Sequence, residues 1–320
     1  MSRQIVDTGA ARLVEALLAV VGRDQLRAVL LFGSRLVQAS PDGFSAYDLV
    51  VVCERYRLFY AALARSGVTR RSPALMAALN RVLAPNVIAF APNGWEDGPV
   101  AKIMVVERDA FERALAPSGP DHFLKGRMVQ RTSMLDSRDA EEERWIESLL
   151  QRARADVLRW AGPCLKGPFT AERLAQRMLE LSYAGEIRPE TTDRVRDIFD
   201  AQRGFLVRVF AGVLEEAVEQ RQLVRVEGPG AMYRFTRPPG RLRCLWIRFY
   251  FLRSKVRATA RWLKHSITFE NWMDYIARKI QRRIGMQIVI TPWERRLPYL
   301  LLWPKMLRVL RRRRVARRRP

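Results

Sequence analysis

The residues of this chain that could do chemistry begin with a Gly33-Ser34-Arg35 turn, which follows the apolar run 29–32. The glycine would let the backbone come close to a triphosphate, and the turn's N–H groups, the Ser34 hydroxyl and the Arg35 guanidinium could bind its oxygens. A second apolar run, 47–52, carries one carboxylate, Asp48. A carboxylate facing such a turn could hold the Mg²⁺ ion that neutralises the charge of a leaving pyrophosphate. The pattern therefore predicts chemistry on a nucleoside triphosphate.

Asp48 lacks a second acid two positions earlier, where metal sites of this kind commonly have one and where Ala46 stands here. Glu107, at the end of a later strand-like run, is the remaining candidate to share the metal with Asp48. Lys102, in the same run, is a candidate for phosphate binding, although a lysine between apolar neighbours on a strand could also face solvent. The alternative for the whole region is an ordinary strand-turn-helix with one aspartate at the edge of a sheet.

The elements that would position these residues alternate between strands and helices. Apolar residues with helical spacing and short continuous apolar runs follow one another up to about residue 135. This order predicts an α/β (α+β) domain over residues 1–135. We predict helices at 9–21, 56–65 and 72–83, and strands at 29–32, 47–52, 87–91 and 99–107.

Residues 136–240 have the pattern of several helices followed by a β-hairpin. The acid-rich start at Asp136 suits the first turn of a helix, because carboxylates are favourable at a helix N-terminus. We predict helices at 136–160, 190–201 and 203–220, one that begins after Thr170, and hairpin strands at 223–227 and 231–236. This order is typical of a winged-helix domain. A winged helix in a basic protein suggests DNA, but this segment is nearly neutral, so we expect a structural or active-site role and no stable nucleic-acid complex.

The net charge of +24 is concentrated at the C-terminal end of the chain. Residues 241–320 carry 23 basic and three acidic residues, which leaves a near-neutral remainder. We expect this last region to be a basic helical appendage that seeks a polyanion, either nucleic acid or an anionic membrane. Within it, we predict helices at 242–263 and 268–284 and from Thr291, and then an aromatic-apolar stretch at 298–304 that precedes a basic run.

Composition bounds the class of protein. Hydrophobic residues make up 48% of the chain, which indicates a folded protein and not a disordered one. The three cysteines have no metal-ligand spacing, and no signal peptide is evident. No apolar run reaches the roughly 18 residues that a membrane-spanning helix needs. If a membrane is the partner, we expect the protein to lie on its surface.

A further stretch resembles a known signature. The segment 181–188, Leu-Ser-Tyr-Ala-Gly-Glu-Ile-Arg, resembles the Leu-Ser-Tyr-Ser-Gly-Asp-Phe-Arg signature of the mitochondrial-type phosphatidate cytidylyltransferases, the translocator assembly and maintenance proteins. The Gly33-Ser34 turn, Asp48, Lys102 and Gly126-Arg127 match in order, and Ser254-x-x-Arg257 is a weaker match. The turn with its strand acid is by itself shared by many nucleotidyltransferases. The resemblance covers roughly residues 28–265.

This resemblance implies an enzyme that makes CDP-diacylglycerol and pyrophosphate from CTP and phosphatidate, with Mg²⁺. It implies a nucleotidyltransferase domain, a winged-helix domain and a membrane-binding C-terminal segment. We therefore expect a peripheral membrane protein, on the cytoplasmic face of the inner membrane. The alternatives are a transferase for another acceptor and a non-catalytic winged-helix protein that binds nucleic acid. The resemblance gives catalytic roles to Asp48 and Lys102, and nucleotide or phosphate contacts to Gly33, Ser34, Arg35, Arg127, Tyr183, Arg188, Ser254 and Arg257.

A phosphate acceptor would also account for the alanine at position 46. A hydroxyl acceptor needs a metal to lower its pKa, and two or three carboxylates commonly hold that ion. A phosphate monoester is already anionic at neutral pH and needs positioning and charge screening, which lysine and arginine supply. One carboxylate at Asp48 would then suffice. The opposing hypothesis is that Ala46 marks an inactive transferase retained as a binding module.

The basic C-terminal region admits two partners on its composition. Aromatic residues among cations can stack on nucleic-acid bases. Aromatic and aliphatic residues beside arginine are equally the composition of an interfacial membrane anchor. The lipid substrate of the resembled family favours the membrane. We expect residues 297–320 to be the anchor, and the helix at 242–263 is the next candidate.

Overall fold

The computed structural model describes residues 8–37, 45–94, 98–185, 192–228 and 230–269, together with Thr291 and Trp293. Its central feature is a mixed sheet with the strand order β3-β4-β2-β1-β5. Strands β2 and β4 are parallel, and the other neighbouring pairs are antiparallel. The strands are β1 (Leu26–Phe32), β2 (Tyr47–Cys53), β3 (Asn86–Phe90), β4 (Ala101–Glu107) and β5 (Ser133–Ser137).

Both faces of this sheet are buried. Alternate residues such as Val29, Leu49 and Val51 pack against helices on one face, and Leu30 and Val50 belong to a second core on the other. Strands buried on both sides read as continuous apolar runs, which is why the sequence predicts them well. The helices before β4 are α1 (Thr8–Val21), α2 (Ser34–Val37), α3 (Tyr56–Arg65) and α4 (Pro73–Val82).

The second face of the sheet shares one continuous core with the helices that follow. Buried residues of the sheet belong to the same hydrophobic cluster as Phe111, Leu174 and Phe210, which lie on later helices. The chain is therefore a mixed α/β protein, as predicted. Its later elements are α5 (Arg108–Leu115), α6 (Lys125–Met128), α7 (Ala140–Ala155), α8 (Val157–Trp160), α9 (Ala171–Ala184), α10 (Thr192–Asp200), α11 (Arg203–Glu219), β6 (Leu223–Val226), β7 (Met232–Phe235) and α12 (Arg241–Thr268).

The edge strand β5 corrects one prediction. Asp136 lies within β5 and does not open a helix. The helix α7 begins at Ala140, and the Asp139 carboxylate caps it by accepting from the backbone N–H groups of Glu141 and Glu142, both at 2.9 Å. Every residue of β5 is only partly buried, so the strand has no apolar alternation that would have revealed it. The predicted domain boundary at 135 consequently falls inside a strand.

The region from α7 to β7 agrees in element order with the prediction. The hairpin β6–β7 forms a two-stranded antiparallel sheet. An isolated bridge joins Phe169, just before α9, to Tyr233 in β7, with backbone hydrogen bonds of 2.9 Å in both directions. A bridge of this kind beside a two-stranded hairpin is compatible with a winged helix. That assignment stays a prediction.

Helix α12 is fastened to the body of the protein by polar residues. The guanidinium of Arg261, only 1% exposed, donates to Asp121 at 2.9 Å and to the carbonyl of Ala84 at 2.7 Å. Further along the helix, Lys264 donates to the carbonyls of Leu83 and Pro85. The expectation of a basic appendage from residue 241 is therefore wrong for α12. The predicted elements at 268–284 and 298–304 and the basic run lie outside the described residues, apart from the end of α12 and Phe269.

Among the residues that the structure describes, no helix is both long enough and apolar enough to cross a bilayer.

Candidate active site

The turn at Gly33 lies directly over the Asp48 carboxylate. Strand β1 ends at Phe32, which pairs with Asp48 in the antiparallel ladder, and Gly33 follows with φ +81°. A Cβ atom added at Gly33 would be 2.7 Å from Oδ2 of Asp48. Both the backbone angle and the lack of space require glycine here. The structure thus brings together the first two predicted site residues.

Lys102 joins this pair from the neighbouring strand. It is the register partner of Asp48 in the parallel ladder of β2 and β4. Its Nζ is 3.7 Å from Oδ1 of Asp48, and the two side chains are 32% and 27% exposed. A carboxylate and an ammonium group therefore stand side by side at one end of the sheet, where a ligand can reach them. A phosphate-binding role for Lys102 stays a prediction.

The other two residues of the turn differ in what they contact. Ser34 is the first residue of the short helix α2, whose Leu36 and Val37 N–H groups bond back to the Gly33 carbonyl at 3.0 and 3.3 Å. Arg35 donates from Nε to the carbonyl of Ser45 at 2.9 Å, and its guanidinium lies 4.5 Å from the centre of the Tyr47 ring. Arg35 thus links the turn to the start of β2.

The structure does not bring Glu107 to Asp48. In the β2–β4 register Asp48 pairs with Lys102, whereas Glu107 pairs with Cys53. Five residues of strand separate these two positions along the sheet, about 16 Å. The Glu107 carboxylate instead accepts the backbone N–H of Tyr56 at 2.6 Å, at the start of α3. Because of this register, Glu107 cannot share a metal ion with Asp48, and that prediction is wrong.

One carboxylate is compatible with magnesium only when the ligand supplies further oxygens. Among the described residues, no group of three or more His, Cys, Asp or Glu side chains could hold a metal ion. Mg²⁺ is commonly bound by one or two carboxylates together with substrate phosphates and water. Asp48, partly exposed and beside the turn, fits an ion that arrives with a triphosphate. Ala46 is buried and offers no further ligand.

A second set of predicted residues gathers around His122. Its Nε2 is 2.9 Å from the Ser182 hydroxyl, and its backbone N–H donates to the Ser254 hydroxyl at 2.9 Å. A Cβ atom added at Gly126 would be 2.9 Å from the His122 ring. The Leu-Ser-Tyr segment, Gly126 and α12 therefore converge on one buried histidine. No local sequence pattern marks His122, because its partners are 60 and 132 positions away.

The remaining described residues predicted to bind nucleotide or phosphate make contacts within the protein. Ser254 is 2% exposed, and its hydroxyl ties α12 to the loop by accepting the His122 N–H. Arg257 donates to Asp121 at 2.8 Å. Arg127 lies over the Phe123 ring at 4.1 Å, and Tyr183 is partly buried against the helical core. Arg188 lies outside the described residues.

His122 makes folding stability depend on pH. Burial, followed by the charge of Lys125, lowers its pKa to about 3; Asp121 opposes this effect and Arg127 adds to it. The unfolded chain, with a pKa near 6.5, then binds the proton first, so stability is lost as the pH falls from about 6.5 towards 3. We expect about 1.4 kcal/mol of this loss per pH unit.

The measurement is the urea-unfolding free energy at pH 7 and pH 4.5. We expect His122→Asn to lower stability at pH 7 but to flatten the pH dependence relative to the unchanged chain. Equal slopes in the two proteins would mean that His122 is not the acid-sensitive group.

If the site acts on a nucleoside triphosphate as the sequence predicts, Gly33→Ala should remove most of its activity. The added Cβ displaces the Asp48 carboxylate, and a displacement of about 1 Å costs about 100-fold in rate. Gly67→Ala is the matched control, because Gly67 also has positive φ but has no atom within 4 Å of an added Cβ. Both variants carry the backbone cost, and only the first touches Asp48. Steady-state kinetics of pyrophosphate release from CTP would decide, and equal activity of the two variants would contradict the close approach.

Comparison with known proteins adds no relative: no protein-family model matches this chain, and no curated protein is significantly similar to it.

Proposed function

We propose that this chain is a nucleotidyltransferase that transfers a cytidylyl group from CTP to phosphatidate at a membrane surface and releases pyrophosphate. The observation that carries the proposal is the juxtaposition of Gly33, Asp48 and Lys102 at one end of the sheet. The resemblance of the segment 181–188 to the cytidylyltransferase signature supports the choice of nucleotide and acceptor.

In the proposed reaction an oxygen of the acceptor phosphate attacks the α-phosphorus of CTP. A new P–O bond forms, the bond from the α-phosphorus to the bridging oxygen breaks, and pyrophosphate leaves with the electron pair. Mg²⁺ held by Asp48 would neutralise charge on the triphosphate. Gly33 allows the backbone of the turn to lie against the phosphates, and the Lys102 ammonium screens the repulsion between the two anionic substrates.

The lone carboxylate supports an acceptor that is already an anion. A hydroxyl acceptor must lose a proton during transfer, and that step draws on additional metal ligands or a base. The described part of the site offers Asp48 with an adjacent lysine, and Ala46 where a second acid would stand. A phosphate monoester is already negatively charged, so it needs a cation such as Lys102 to screen that charge and does not need a base to remove a proton.

The outer face of α12 supports placement on a membrane. Large apolar side chains are exposed along the helix at intervals of three and four residues, which puts them on one side. The helix has 28 residues, so this face is about 42 Å long. A continuous exposed apolar face of this kind marks an interaction surface, and with arginine and lysine on the same helix it suits an anionic lipid surface. The exposed residues on this face are Leu242, Leu245, Trp246, Phe249, Leu252, Val256, Leu263 and Ile267; Trp262 is also exposed but lies off this face.

The nucleic-acid alternative has less support. The predicted winged-helix segment 168–236 carries 10 basic and 11 acidic residues, so it offers no excess of cations to phosphates. In its helix α11, the glutamate Glu215 already binds Arg225 and Tyr233 of the hairpin.

The test of the proposal uses the full chain with CTP labelled at the α-phosphate, phosphatidate vesicles and Mg²⁺. We expect label in a CDP-lipid and release of one pyrophosphate for each labelled lipid. Transfer of label only to a different acceptor would mean that phosphatidate is not the substrate, although the protein would still be a nucleotidyltransferase. Tight duplex binding without nucleotide turnover would overturn the enzyme proposal.

The membrane placement makes a separate prediction. We expect Trp246→Ser with Phe249→Ser to weaken sedimentation with anionic vesicles at least about tenfold, because two exposed aromatic side chains no longer enter the headgroup region. Val82→Ser is the control, since Val82 on α4 is even more exposed than Trp246 and Phe249 but does not belong to this face. The measurement is made at about 0.5 M salt, where long-range attraction by the basic C-terminal region is screened. Unchanged sedimentation of the double variant would exclude α12 as the anchor.

A further inference from the structure

A cavity of about 520 Å³ lies between the C-terminal end of α9, the Gly162–Cys164 turn and the first half of α12. Its volume is in the range of sites that hold one small molecule. Residues at the Asp48 end of the sheet do not line it. The cavity is therefore separate from the candidate active site.

The chemistry of the wall is divided between apolar and cationic groups. Leu181, Ile247 and Phe251 give the cavity an apolar surface. Four basic residues also line it, and no acidic residue among those that the structure describes does so: Lys166, Arg177, Arg248 and Lys255. Cations concentrated around an apolar cavity attract a ligand that is both anionic and apolar.

Most of this positive charge is not neutralised by the protein. Arg177 has an ion pair with Glu180 at 2.8 Å. The other three cations, Lys166, Arg248 and Lys255, have no ion pair with an acid in the part of the chain that the structure describes. Three cations gathered around one cavity repel one another, and an anion bound there would relieve that repulsion.

We propose that this cavity binds one molecule of an anionic amphiphile, with a phosphate headgroup on the cations and an apolar chain along Leu181, Ile247 and Phe251. The inference goes beyond the proposed reaction, because it assigns a second site that contains none of Gly33, Asp48 and Lys102. It depends on the proposed membrane placement only for the source of the ligand.

The position of the cavity gives that ligand a route. Leu252 lines the cavity and is also 61% exposed on the outer apolar face of α12. Arg248 and Lys255 stand on the same part of the helix. A lipid in a surface that contacts this face could enter the cavity without exposing its chain to water. A soluble phosphate would gain the cations but would leave the apolar wall uncovered.

Two cysteines provide a direct readout. Cys164 and Cys244 line the cavity and are partly exposed, whereas Cys53 is buried in the sheet. Burial raises the pKa of the Cys164 thiol, so alkylation is carried out near pH 8.5, where a larger share is thiolate. The site-specific rate of alkylation is read by mass spectrometry on the full chain, and Cys53 is the internal control. CTP is absent, so the result does not depend on nucleotidyl transfer.

The probes are dodecyl phosphate below its micelle concentration, inorganic phosphate, and an uncharged detergent with the same chain. We expect dodecyl phosphate to slow alkylation of Cys164 and Cys244 at least fivefold, and the other two probes to have little effect. Lys166→Gln with Arg248→Gln should abolish the protection. Arg241→Gln, a change of one cation on α12 outside the cavity, should keep it.

Three results would overturn the proposal. Equal protection by inorganic phosphate would show a simple anion site. Equal protection by the uncharged detergent would show an apolar site without a role for the cations. No protection by any probe would show that the cavity does not bind an amphiphile.

Discussion

Asp48→Asn is expected to lower CDP-lipid formation from CTP about 100-fold or more, with little change in the free energy of unfolding. The amide keeps the shape of the carboxylate, so Gly33 still fits above it. It loses the negative charge that faces the Lys102 ammonium and that the proposed Mg²⁺ ion would require. Loss of a metal ligand or of preorganised charge at a reacting phosphate commonly costs two or more orders of magnitude. Initial rates with labelled CTP and a urea-unfolding curve measure the two quantities.

Glu107→Gln is the matched control for this substitution. It makes the same acid-to-amide change at the opposite end of the neighbouring strand, where the glutamine oxygen can still accept the Tyr56 N–H. We expect its turnover to stay within about twofold of the unchanged chain, because Glu107 lies five strand residues away from the Asp48–Lys102 pair. Near-normal turnover in Asp48→Asn would show that this aspartate has no part in the reaction.

Asp121→Asn is expected to lower the free energy of unfolding by about 3–5 kcal/mol, the largest stability effect that the structure predicts. Burial raises the pKa of Asp121, but the guanidinium groups of Arg261 and Arg257 outweigh burial, and the net pKa is lowered. The carboxylate is therefore charged at neutral pH, and it is the anion that Arg261 contacts within the protein. Without it, a cation remains buried and uncompensated. Urea unfolding at pH 7 measures the loss.

Asp136→Asn is the control, because it breaks an aspartate–arginine pair of similar length at the surface. Its partner Arg23 is 2.6 Å away and 48% exposed, compared with 1% for Arg261. Exposed pairs contribute about 0–1 kcal/mol, so this variant should be nearly as stable as the unchanged chain. If the two variants were equally destabilised, burial of Arg261 would not be what makes Asp121 important.

The sequence predicts the sheet and the centre of the site for a physical reason. Strands β1, β2 and β4 are buried on both faces, so their apolar runs are continuous and conspicuous. A glycine turn at the end of one run and an acid at the start of the next can meet only if the strands are neighbours, which they are. The error at Glu107 arose because a sequence does not give the direction of pairing between β2 and β4.

Two other features leave no local signal. Strand β5 is half-exposed along its length, so its residues follow no apolar period. The cluster around His122 is assembled from a loop, α9 and α12, which are far apart in the chain. The basic-aromatic composition of α12 indicated an anchor, but composition does not say which side of a helix faces the protein.

Helix α12 turns the cations of Arg261 and Lys264 towards the protein, whereas large apolar residues are exposed on its outer face. Attachment of this helix to the body combines these buried polar contacts with the packing of Phe251 against the core. The outer face would leave water only when the proposed lipid surface covers it. Calorimetry of vesicle binding should therefore show a distinctly negative heat-capacity change, and the attraction should weaken on cooling.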